Sequence, residues 1–198
     1  MTDVIDRLAG IVPGSHLDRL RDERPDAREH AQRSFDALFA PDSEDEATLV
    51  ERDAVAAFVT GLHGDAVVAA FYADRLAELA PGLLEAVHTE IAAGSTTGPY
   101  GVYPADGPLA AESDEGLRYR PGDPDALGGR LAAAFEHAHL LVFRPREAGR
   151  QALLALAEAG WSTTGIVTLS QLVAFLSFQV RVVAGLRLLG AAQKGSPS

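Results

Sequence analysis

The sequence predicts an all-α protein, and three observations lead to this fold class. Apolar residues recur at intervals of three and four along most of the chain, as in the stripe of Val68, Phe71, Tyr72 and Leu76. Helix-capping residues, prolines and glycines separate the periodic segments. No segment keeps the alternation of a strand, because candidates such as 101–103 are short and interrupted. With 198 residues, 47% of them hydrophobic, residues 1–198 can form one domain.

The N-terminal half, about residues 15–93, reads as five helices. Ser15 with Asp18 resembles an N-cap followed by a first-turn acid, so a short helix begins there and stops before Pro25. Pro25 suits the first turn of a second helix, which extends to about Phe39. Ser43 with Glu46 predicts a capping box for the third helix.

Two glycines, Gly61 and Gly64, break or bend the path from the third helix to the fourth. Pro81 begins a fifth helix that ends near Gly94. Residues 94–129 contain 8 glycines and 5 prolines, so regular helix is not expected through most of this segment. A loop of this length in a compact domain is typically functional or part of an interface. Its tyrosines at 100, 103 and 119 favour an interface.

The C-terminal half, about residues 130–190, begins with a helix that includes Leu131 and Phe135, and restarts after Pro145. Ser162 caps the last and longest helix. Between residues 166 and 189 this helix carries only Arg181 and Arg187 as charges, so we expect it to be buried centrally or between subunits.

A membrane span is the alternative interpretation of the last helix. Gln171, Gln179 and Arg181 interrupt the apolar stretch before it reaches spanning length, so we expect no membrane insertion. The tail, residues 191–198, is expected to be flexible.

Composition excludes several classes of function. The formal net charge is -11, which repels nucleic acid and anionic lipid surfaces. The chain has no cysteine, which excludes disulfides, zinc-thiolate sites, iron-sulfur clusters and thiolate nucleophiles. No phosphate-binding glycine loop, serine elbow or HExxH motif is present. Because no secretory signal pattern opens the chain, we expect a cytoplasmic protein.

One internal sequence similarity relates the two halves. Residues 55 and 57–60 correspond in type to residues 172 and 174–177 at a constant offset, and residues 66–68 resemble 182–184 with a one-residue slip. A duplication would explain two pseudo-repeated halves, and chance similarity between apolar helices would explain them nearly as well.

The stretch from Arg144 to Gly190 resembles the C-terminal part of proteins of the alkylhydroperoxidase D (AhpD) and carboxymuconolactone decarboxylase (CMD) superfamily. The resemblance is carried by AGWS at residues 159–162 and by TLSQLVAFLSFQVRVVAGLRLLG, which closes the stretch. It implies an oligomeric AhpD-like helical bundle.

The redox members of that superfamily carry an acid, two cysteines and a histidine in a fixed spacing. Aligned through the ER-x-x-x-A-x-x-x-x-x-x-G pattern, Asp53 takes the position of the acid, Asp65 and Val68 those of the cysteines, and Tyr72 that of the histidine. Peroxide reduction by the family mechanism needs the two thiols, so the resemblance implies a thiol-free member without this activity. Decarboxylase-like members also lack the cysteines and act on small carbonyl or lactone acids by proton transfer, without a cofactor.

Four residues around this position are catalytic or binding candidates. Asp53 and Tyr72, with Asp65, form a hypothetical acid/base group, and His63 is a candidate substrate-binding residue. In the alternative interpretation Asp65 caps a helix, Tyr72 is a satisfied core residue and Asp53 is solvated.

A second polar cluster lies at residues 136–139. Glu136 and His139 share a helix face and are further catalytic candidates, whereas His137, a candidate substrate-binding residue, points in another direction from His139. Together with a second Glu-x-x-His at residues 85–88, the cluster leaves a di-metal helical-bundle enzyme as a further alternative. Buried histidines in a hydrogen-bond network are the simpler interpretation, so we predict no metal and no cofactor.

Gln179 and Arg181 interrupt the last apolar helix. Arg181 could hold a substrate carboxylate, with Gln179 beside it, or join a structural or inter-subunit ion pair.

The first functional hypothesis is an AhpD-like homo-oligomer that binds a small organic acid or performs cofactor-free acid/base chemistry on it. The alternative is a non-catalytic structural or regulatory partner of a cysteine-bearing paralogue.

Overall fold

Helices form nearly all the regular structure of the chain. The computed structural model describes residues 3–194, and within them the chain folds into ten α-helices, three short 3-10 turns and no strand. The all-α prediction is confirmed. The helices are α1 Val4–Ala9, α2 His16–Asp22, α3 Pro25–Phe39, α4 Leu49–His63, α5 Ala66–Leu79, α6 Leu84–Gly94, α7 Pro124–Leu127, α8 Gly129–Phe143, α9 Arg150–Glu158 and α10 Thr163–Lys194.

Most helix boundaries follow the capping chemistry of the sequence. The Ser15 hydroxyl accepts a hydrogen bond from the Asp18 amide at the start of α2, and Pro25 opens α3. The prediction for α4 was wrong by several residues. Its capping box is formed by Thr48 and Glu51, because the stretch that contains Ser43 and Glu46 stays non-helical ahead of it.

The two glycines near the end of α4 act differently. Gly61 lies inside the helix, where a Cβ would come within 2.5 Å of Ile91, so its missing side chain lets α4 and α6 approach closely. Gly64 ends the helix in the left-handed conformation, with φ of 73°.

The core is built around α4. Residues 52–60 and Leu62 of this helix are all buried, and α5, α6, α8 and α10 pack against it. One continuous cluster of buried apolar residues extends from Val4 in α1 to Val183 in α10. A helix enclosed in this way must be apolar on most sides, and any polar residue that it buries, such as Asp53, needs a partner.

The first helix was not predicted. Asp3 caps α1 by accepting a hydrogen bond from the Asp6 amide, and Val4, Ile5 and Leu8 pack into the core. The acidic residues of this segment are buried as well: Asp6 is 2% exposed. The two aspartates of this segment, Asp3 and Asp6, therefore belong to the interior.

Two arginines satisfy these buried carboxylates. Arg21 contacts Asp3 at 2.8 Å and also pairs with Asp6, while Arg28 contacts Asp3 at 3.0 Å and Asp18 at 2.8 Å and also pairs with Asp6. Burial alone would raise the pKa of Asp3, but the Asp6 amide and the two guanidinium groups outweigh it and hold the pKa below its usual value. The network ties α1, α2 and α3 together.

The longest helix, α10, is only partly buried in the single chain. Leu172, Leu176 and Val183 pack inward, whereas Val167 and Phe178 are 51% and 47% exposed. By length and composition alone, the segment Thr163–Ala192 could cross a membrane, with a mean hydropathy of 1.7 and 39% of its most apolar window buried. The helix continues to Lys194, which takes in the first part of the predicted flexible tail, and residues 195–198 lie outside the described residues.

The central segment, residues 94–129, is largely irregular. It contains a 3-10 turn at Ala110–Glu112, the short helix α7 and one isolated antiparallel bridge between Gly101 and Asp114. Its later part, around Tyr119, packs against α6 and α8, so the segment forms a wall of the cavity described below.

We expect Arg28→Met to destabilise the fold by about 3 kcal/mol, the low end for breaking a buried ion pair, because Arg21 still partners the two aspartates. The measurement is the urea unfolding free energy. Arg33→Met on the same helix is the matched control, since the Arg33–Glu29 pair is exposed and should contribute less than about 1 kcal/mol. Equal losses in the two variants would contradict a structural role for the network.

Candidate functional site

The residues at the positions of the superfamily's redox motif have structural partners. Asp53 is fully buried on α4, and its carboxylate receives two hydrogen bonds from Arg75, at 2.6 and 3.1 Å. Burial raises the pKa of Asp53, and the Arg75 guanidinium opposes that rise. Asp65 caps α5 through the amides of Val67 and Val68 and pairs with Arg187 at 2.9 Å.

Tyr72 lies in the core. Its hydroxyl donates a hydrogen bond of 2.7 Å to the side-chain oxygen of Gln179, and burial raises the pKa of the phenol well above its usual value. Gln179 itself is fully buried, and its Nε2 has no partner within the described structure. The Tyr72–Gln179 hydrogen bond therefore links α5 to α10. Asp53, Asp65 and Tyr72 line neither of the two cavities described next.

The second predicted cluster, at residues 136–139, borders a cavity. This cavity, of about 140 Å³, lies between α8, α9 and the end of the central segment, and we call it the α8–α9 cavity. Its walls are mainly apolar, with charged side chains at the mouth. It is lined by Arg118, Tyr119, Arg120, Ala133, Glu136, His137, His139, Leu140, Arg144, Ala152 and Ala155.

His137 is the unusual group in this cavity. Its side chain is almost completely buried, with 3% of the residue exposed, and neither ring nitrogen has a hydrogen-bond partner among residues 3–194. Burial lowers the pKa of His137, an effect that the nearby Glu136 carboxylate only partly opposes, so the imidazole is neutral near pH 7. A neutral imidazole offers one donor and one acceptor nitrogen, and buried groups of this kind usually have partners.

His139, two residues further along α8, has a structural role. Its Nε2 lies 2.9 Å from the carbonyl oxygen of Gly94, so this nitrogen carries the proton. The ring stacks on Tyr119 with centroids 4.8 Å apart, and the Tyr119 hydroxyl donates to the buried Glu90 at 2.6 Å. These contacts fix the central segment against α6 and α8 and thereby shape the cavity.

Three arginines, which the sequence analysis did not single out, give the cavity mouth a positive charge. Arg118 and Arg144 share the carboxylate of Glu147, at 3.2 and 3.0 Å, and Arg120 pairs with Glu136. Three guanidinium groups against two carboxylates leave one excess positive charge in a chain whose net charge is -11. In the sequence, two of these arginines stand out as the RYR run at residues 118–120, but only the tertiary fold brings this run next to α8.

The other predicted binding residues meet at a larger groove. His63 and Arg181 line an opening of about 710 Å³ between α4, α8 and α10, which we call the α8–α10 groove. The Nε2 of His63 lies 3.1 Å from the Ser177 hydroxyl, and Arg181 donates to the Ser177 carbonyl at 2.8 Å. Burial and the Arg181 charge lower the pKa of His63.

The proposed ligands of a di-metal centre do not converge. Glu85 and His88 are exposed on α6, Glu136 pairs with Arg120, and His139 binds the Gly94 carbonyl. Within residues 3–194 no group of three or more His, Asp or Glu side chains is placed to hold a metal ion.

Comparisons with known proteins do not identify a relative. No protein-family model, no curated protein and no solved structure matches the chain. The site must therefore be interpreted from its own geometry.

The buried histidines make stability depend on pH in a defined window. Because the folded-state pKa of His137 lies below the ordinary value of 6.5, the unfolded chain binds more protons just below pH 6.5. We expect the urea midpoint to fall as the pH drops through this range, before Asp3 and Glu147 begin to protonate, and the fall to be shallower in His137→Phe.

The exposed-site variant His30→Gln is the control for loss of a histidine at the surface. A wild-type midpoint that rises on acidification, or one whose slope is unchanged in His137→Phe, would show that the imidazole is not held neutral by burial.

Proposed function

We propose that the protein binds a small organic acid in the α8–α9 cavity and that His137 exchanges a proton with it. The observation that carries this proposal is the buried imidazole at the wall of a cavity, whose two nitrogens have no partner in the part of the chain that the structure describes. A ligand that hydrogen-bonds to His137 would satisfy a group that the protein itself leaves unsatisfied.

The size of the cavity limits the ligand. A cavity of about 150 Å³ accommodates a benzene ring, so the α8–α9 cavity, at about 140 Å³, fits a single small ring or a short branched chain. Its largely apolar walls favour a ligand with a hydrocarbon or lactone body.

The charge at the mouth favours a carboxylate. The side chains of Arg118 and Arg120 are 62% and 77% exposed and are held only by surface ion pairs, which are weak. Either guanidinium can therefore turn to a ligand carboxylate at little cost, and arginine binds carboxylates with two parallel hydrogen bonds. Arg144, which is buried and fixed by Glu147 and the Glu115 carbonyl, holds the wall in place.

This arrangement supports cofactor-free acid/base chemistry. The neutral His137 can accept a proton from the carbon beside a carbonyl group, and a guanidinium near the developing negative charge stabilises the enolate. The imidazolium formed can then return the proton to carbon, so that the proton balance closes within the site. No thiol is needed for this step, in keeping with a chain that has no cysteine.

We further propose that the chain is a cysteine-less member of the AhpD-like/CMD superfamily. The support is the resemblance of the sequence after Arg144, together with the placement of the residues aligned to the thiol motif: Asp65 caps α5, and Val68 and Tyr72 are buried in that helix. The segments that echo each other, around Val55 and Leu172, lie on α4 and α10, which pack together as duplicated halves would.

A second candidate function is supported by the surface of α10. Val167, Phe178 and Leu188 are exposed apolar residues of one helix, as expected for a structural or regulatory subunit that associates with another chain. Co-purification with a cysteine-bearing paralogue, without acid binding by the isolated protein, would favour this function.

Binding is tested by titrating the ¹⁵N-histidine-labelled protein with small 2-oxo acids, lactone acids and aromatic carboxylic acids. We expect the His137 ring signals to shift, and His137→Phe to weaken binding at least about tenfold, because the ligand's hydrogen bond to a buried group is lost. His88→Phe on the exposed side of α6 and Tyr72→Phe in the core are the controls and should bind as wild type. Acids that bind the His137→Phe protein equally well would overturn the assignment of this cavity.

Proton transfer is tested by the exchange of deuterium from solvent into the carbon beside the carbonyl group of a bound 2-oxo acid. We expect His137→Gln to slow this exchange by about 10²-fold or more, as for loss of a positioned base, while Arg120→Gln mainly weakens binding. If deuterium exchange is no faster with the protein than in buffer, the protein binds the acid but does not catalyse proton transfer.

A further inference from the structure

A serine and a histidine from distant parts of the chain meet in the α8–α10 groove. His63 is the last residue of α4, and Ser177 lies in the middle of α10, 114 residues later. Both side chains are half-buried and line the groove. The Ser177 Oγ lies 3.1 Å from the Nε2 of His63. This distance is within the range of about 2.6–3.2 Å that joins a nucleophile to its general base.

The Ser177 hydroxyl does not make the hydrogen bond that is common for a serine in a helix. Such side chains often donate to the carbonyl oxygen four residues earlier. Hydroxyls that do so in this chain, in helices and at their ends, belong to Ser34, Thr60, Thr89, Ser95 and Ser170. Within the described residues Ser177 makes no such bond to Val173, and its hydroxyl contacts the imidazole instead. The hydroxyl therefore donates to the Nε2 of His63.

This hydrogen bond fixes the protonation of the pair. When the hydroxyl donates to Nε2, the proton of the neutral ring lies on Nδ1. Burial and the positive charge of Arg181 lower the pKa of His63, so the imidazole is neutral near pH 7. A hydroxyl that donates to a neutral imidazole is the arrangement in which a histidine activates a serine.

Arg181 places a positive charge beside the pair. It lies one helical turn after Ser177, and its Nη1 donates to the Ser177 carbonyl oxygen at 2.8 Å. Among residues 3–194 the guanidinium has no acidic partner, so its other N–H groups are available to a ligand. A cation in this place stabilises the oxygen anion that forms when a hydroxyl adds to a carbonyl group.

Another wall of the groove offers further donors. Residues 96–99 border the groove, and the amides of Thr97 and Gly98 donate to no protein group in the part of the chain that the structure describes. This wall is held against α8, since the Tyr100 amide donates to the Phe143 carbonyl oxygen at 2.6 Å. A Cβ at Gly98 would come within 2.9 Å of the Phe143 ring, so the packing there is close.

We propose that Ser177 and His63 form a nucleophile–base pair that hydrolyses small carboxylic esters in the α8–α10 groove. The Ser177 Oγ adds to the ester carbonyl carbon while its proton passes to the Nε2 of His63. The bond from this carbon to the leaving oxygen then breaks, and the imidazolium gives the proton to the departing alkoxide, which leaves the acyl group on Ser177. A water molecule, deprotonated by His63 in the same way, releases the carboxylic acid and restores the serine.

The groove fits an ester with a hydrocarbon acyl group. Its volume of about 710 Å³ is within the usual range for ligand sites, about 300–1,000 Å³. Apolar side chains line it beside the pair: Leu62, Leu141, Val142, Phe143 and Val173. An acyl chain that lies on them is removed from water, and each methylene group buried in this way strengthens binding by about fourfold.

The pair differs from a catalytic triad in one respect. Among the described residues no carboxylate binds the Nδ1 of His63, the nitrogen that the acid of a triad holds. Without this acid the imidazolium is less stable and the histidine is a weaker catalyst. We therefore expect slow turnover, and covalent trapping of the serine is the more sensitive measurement.

The ester site is separate from the proposed acid-binding site. Residues 141–143 of α8 line the groove, whereas Glu136, His137 and Leu140 line the α8–α9 cavity. The proposal therefore does not rest on acid binding, and the two sites are tested with different variants.

The first test is covalent labelling with a fluorophosphonate at pH 7, followed by mass spectrometry of the intact protein and its peptides. We expect one adduct, on Ser177, which forms at least about 10²-fold more slowly in His63→Gln, as for loss of a positioned base. Ser177→Ala should give no adduct. Ser170→Ala is the matched control, because Ser170 lies two turns earlier on α10 with its hydroxyl bound to the Ile166 carbonyl oxygen. This variant should be labelled as wild type.

The second test measures the effect of His63 on a thiol. Since the chain has no cysteine, the Ser177→Cys and Ser170→Cys variants each carry a single thiol, and both positions are half-buried. At pH 7 we expect iodoacetamide to alkylate the Ser177→Cys protein at least about tenfold faster, because a histidine beside a thiol lowers its pKa. Adding His63→Gln to the Ser177→Cys protein should remove this difference.

Turnover is measured with the p-nitrophenyl esters of acetic, butyric and hexanoic acid. We expect kcat/KM to rise with chain length, by up to about fourfold for each methylene group, and to fall to the level of buffer in Ser177→Ala. His88→Gln is the control for ester hydrolysis by an exposed histidine and should leave the rate unchanged.

Three results would overturn the proposal. They are a wild-type protein that the fluorophosphonate does not label, labelling of the Ser177→Ala protein as fast as wild type, and equal alkylation rates of the Ser177→Cys and Ser170→Cys proteins. Any of them would make the contact between Ser177 and His63 a structural link between α10 and α4.

Discussion

The enclosure of α4 is the constraint on which the rest of the structure depends. Nearly every residue of this helix is withdrawn from water, including Arg52, Asp53 and Thr60. Burying such groups without partners would cost several kcal/mol each. Each polar group therefore has a fixed partner: Asp53 binds Arg75, Thr60 donates to the Ala56 carbonyl, and Arg52 donates to the Ala47 and Leu38 carbonyls. These bonds also fix α3 and α5 around the central helix.

Because these partners hold the polar groups around α4, chemistry at the positions aligned with the redox motif is restricted. Tyr72 is bound to Gln179 and its phenol is harder to ionise than usual, while Asp65 is held by two amides and a guanidinium. A buried titratable group without a partner among the described residues lies instead on α8, at His137. The buried polar groups of α4 therefore stabilise the fold, whereas a group that can serve a ligand lies on α8.

The sequence predicted local features well and tertiary features poorly. Ser15, Pro25 and Gly64 mark helix ends because capping depends on neighbouring residues alone. The predicted capping box of Ser43 and Glu46 was wrong because an equivalent pair, Thr48 and Glu51, follows five residues later. Only the packing of the helix selects between the two pairs.

The buried ion network and the cavity could not be predicted in the same way. Asp3 and Asp6 can be buried because Arg21 and Arg28, from two later helices, are brought to them by the tertiary fold. Similarly, Glu136 and His137 were recognised as a polar cluster, but the arginines of the cavity mouth come from a segment without periodicity. The sequence placed His137 and His139 in different directions on the helix, and their hydrogen bonding differs: His139 contacts the Gly94 carbonyl, whereas His137 has no partner among residues 3–194. The predicted roles of His139 in catalysis and of His137 in substrate binding stay predictions.

α10 is apolar on two sides, and only one of them is covered by the described residues. Its inner face, with Leu172 and Val183, packs against the core, whereas Val167, Phe178 and Leu188 are exposed. A helix that contacts only a core shows one apolar stripe. The second apolar side therefore favours a surface that another molecule covers, in keeping with the structural or regulatory partner proposed above. The exposed side borders the α8–α10 groove, since Ala174 and Arg181 belong to both, so a partner seated there would also lie close to the predicted binding residue His63.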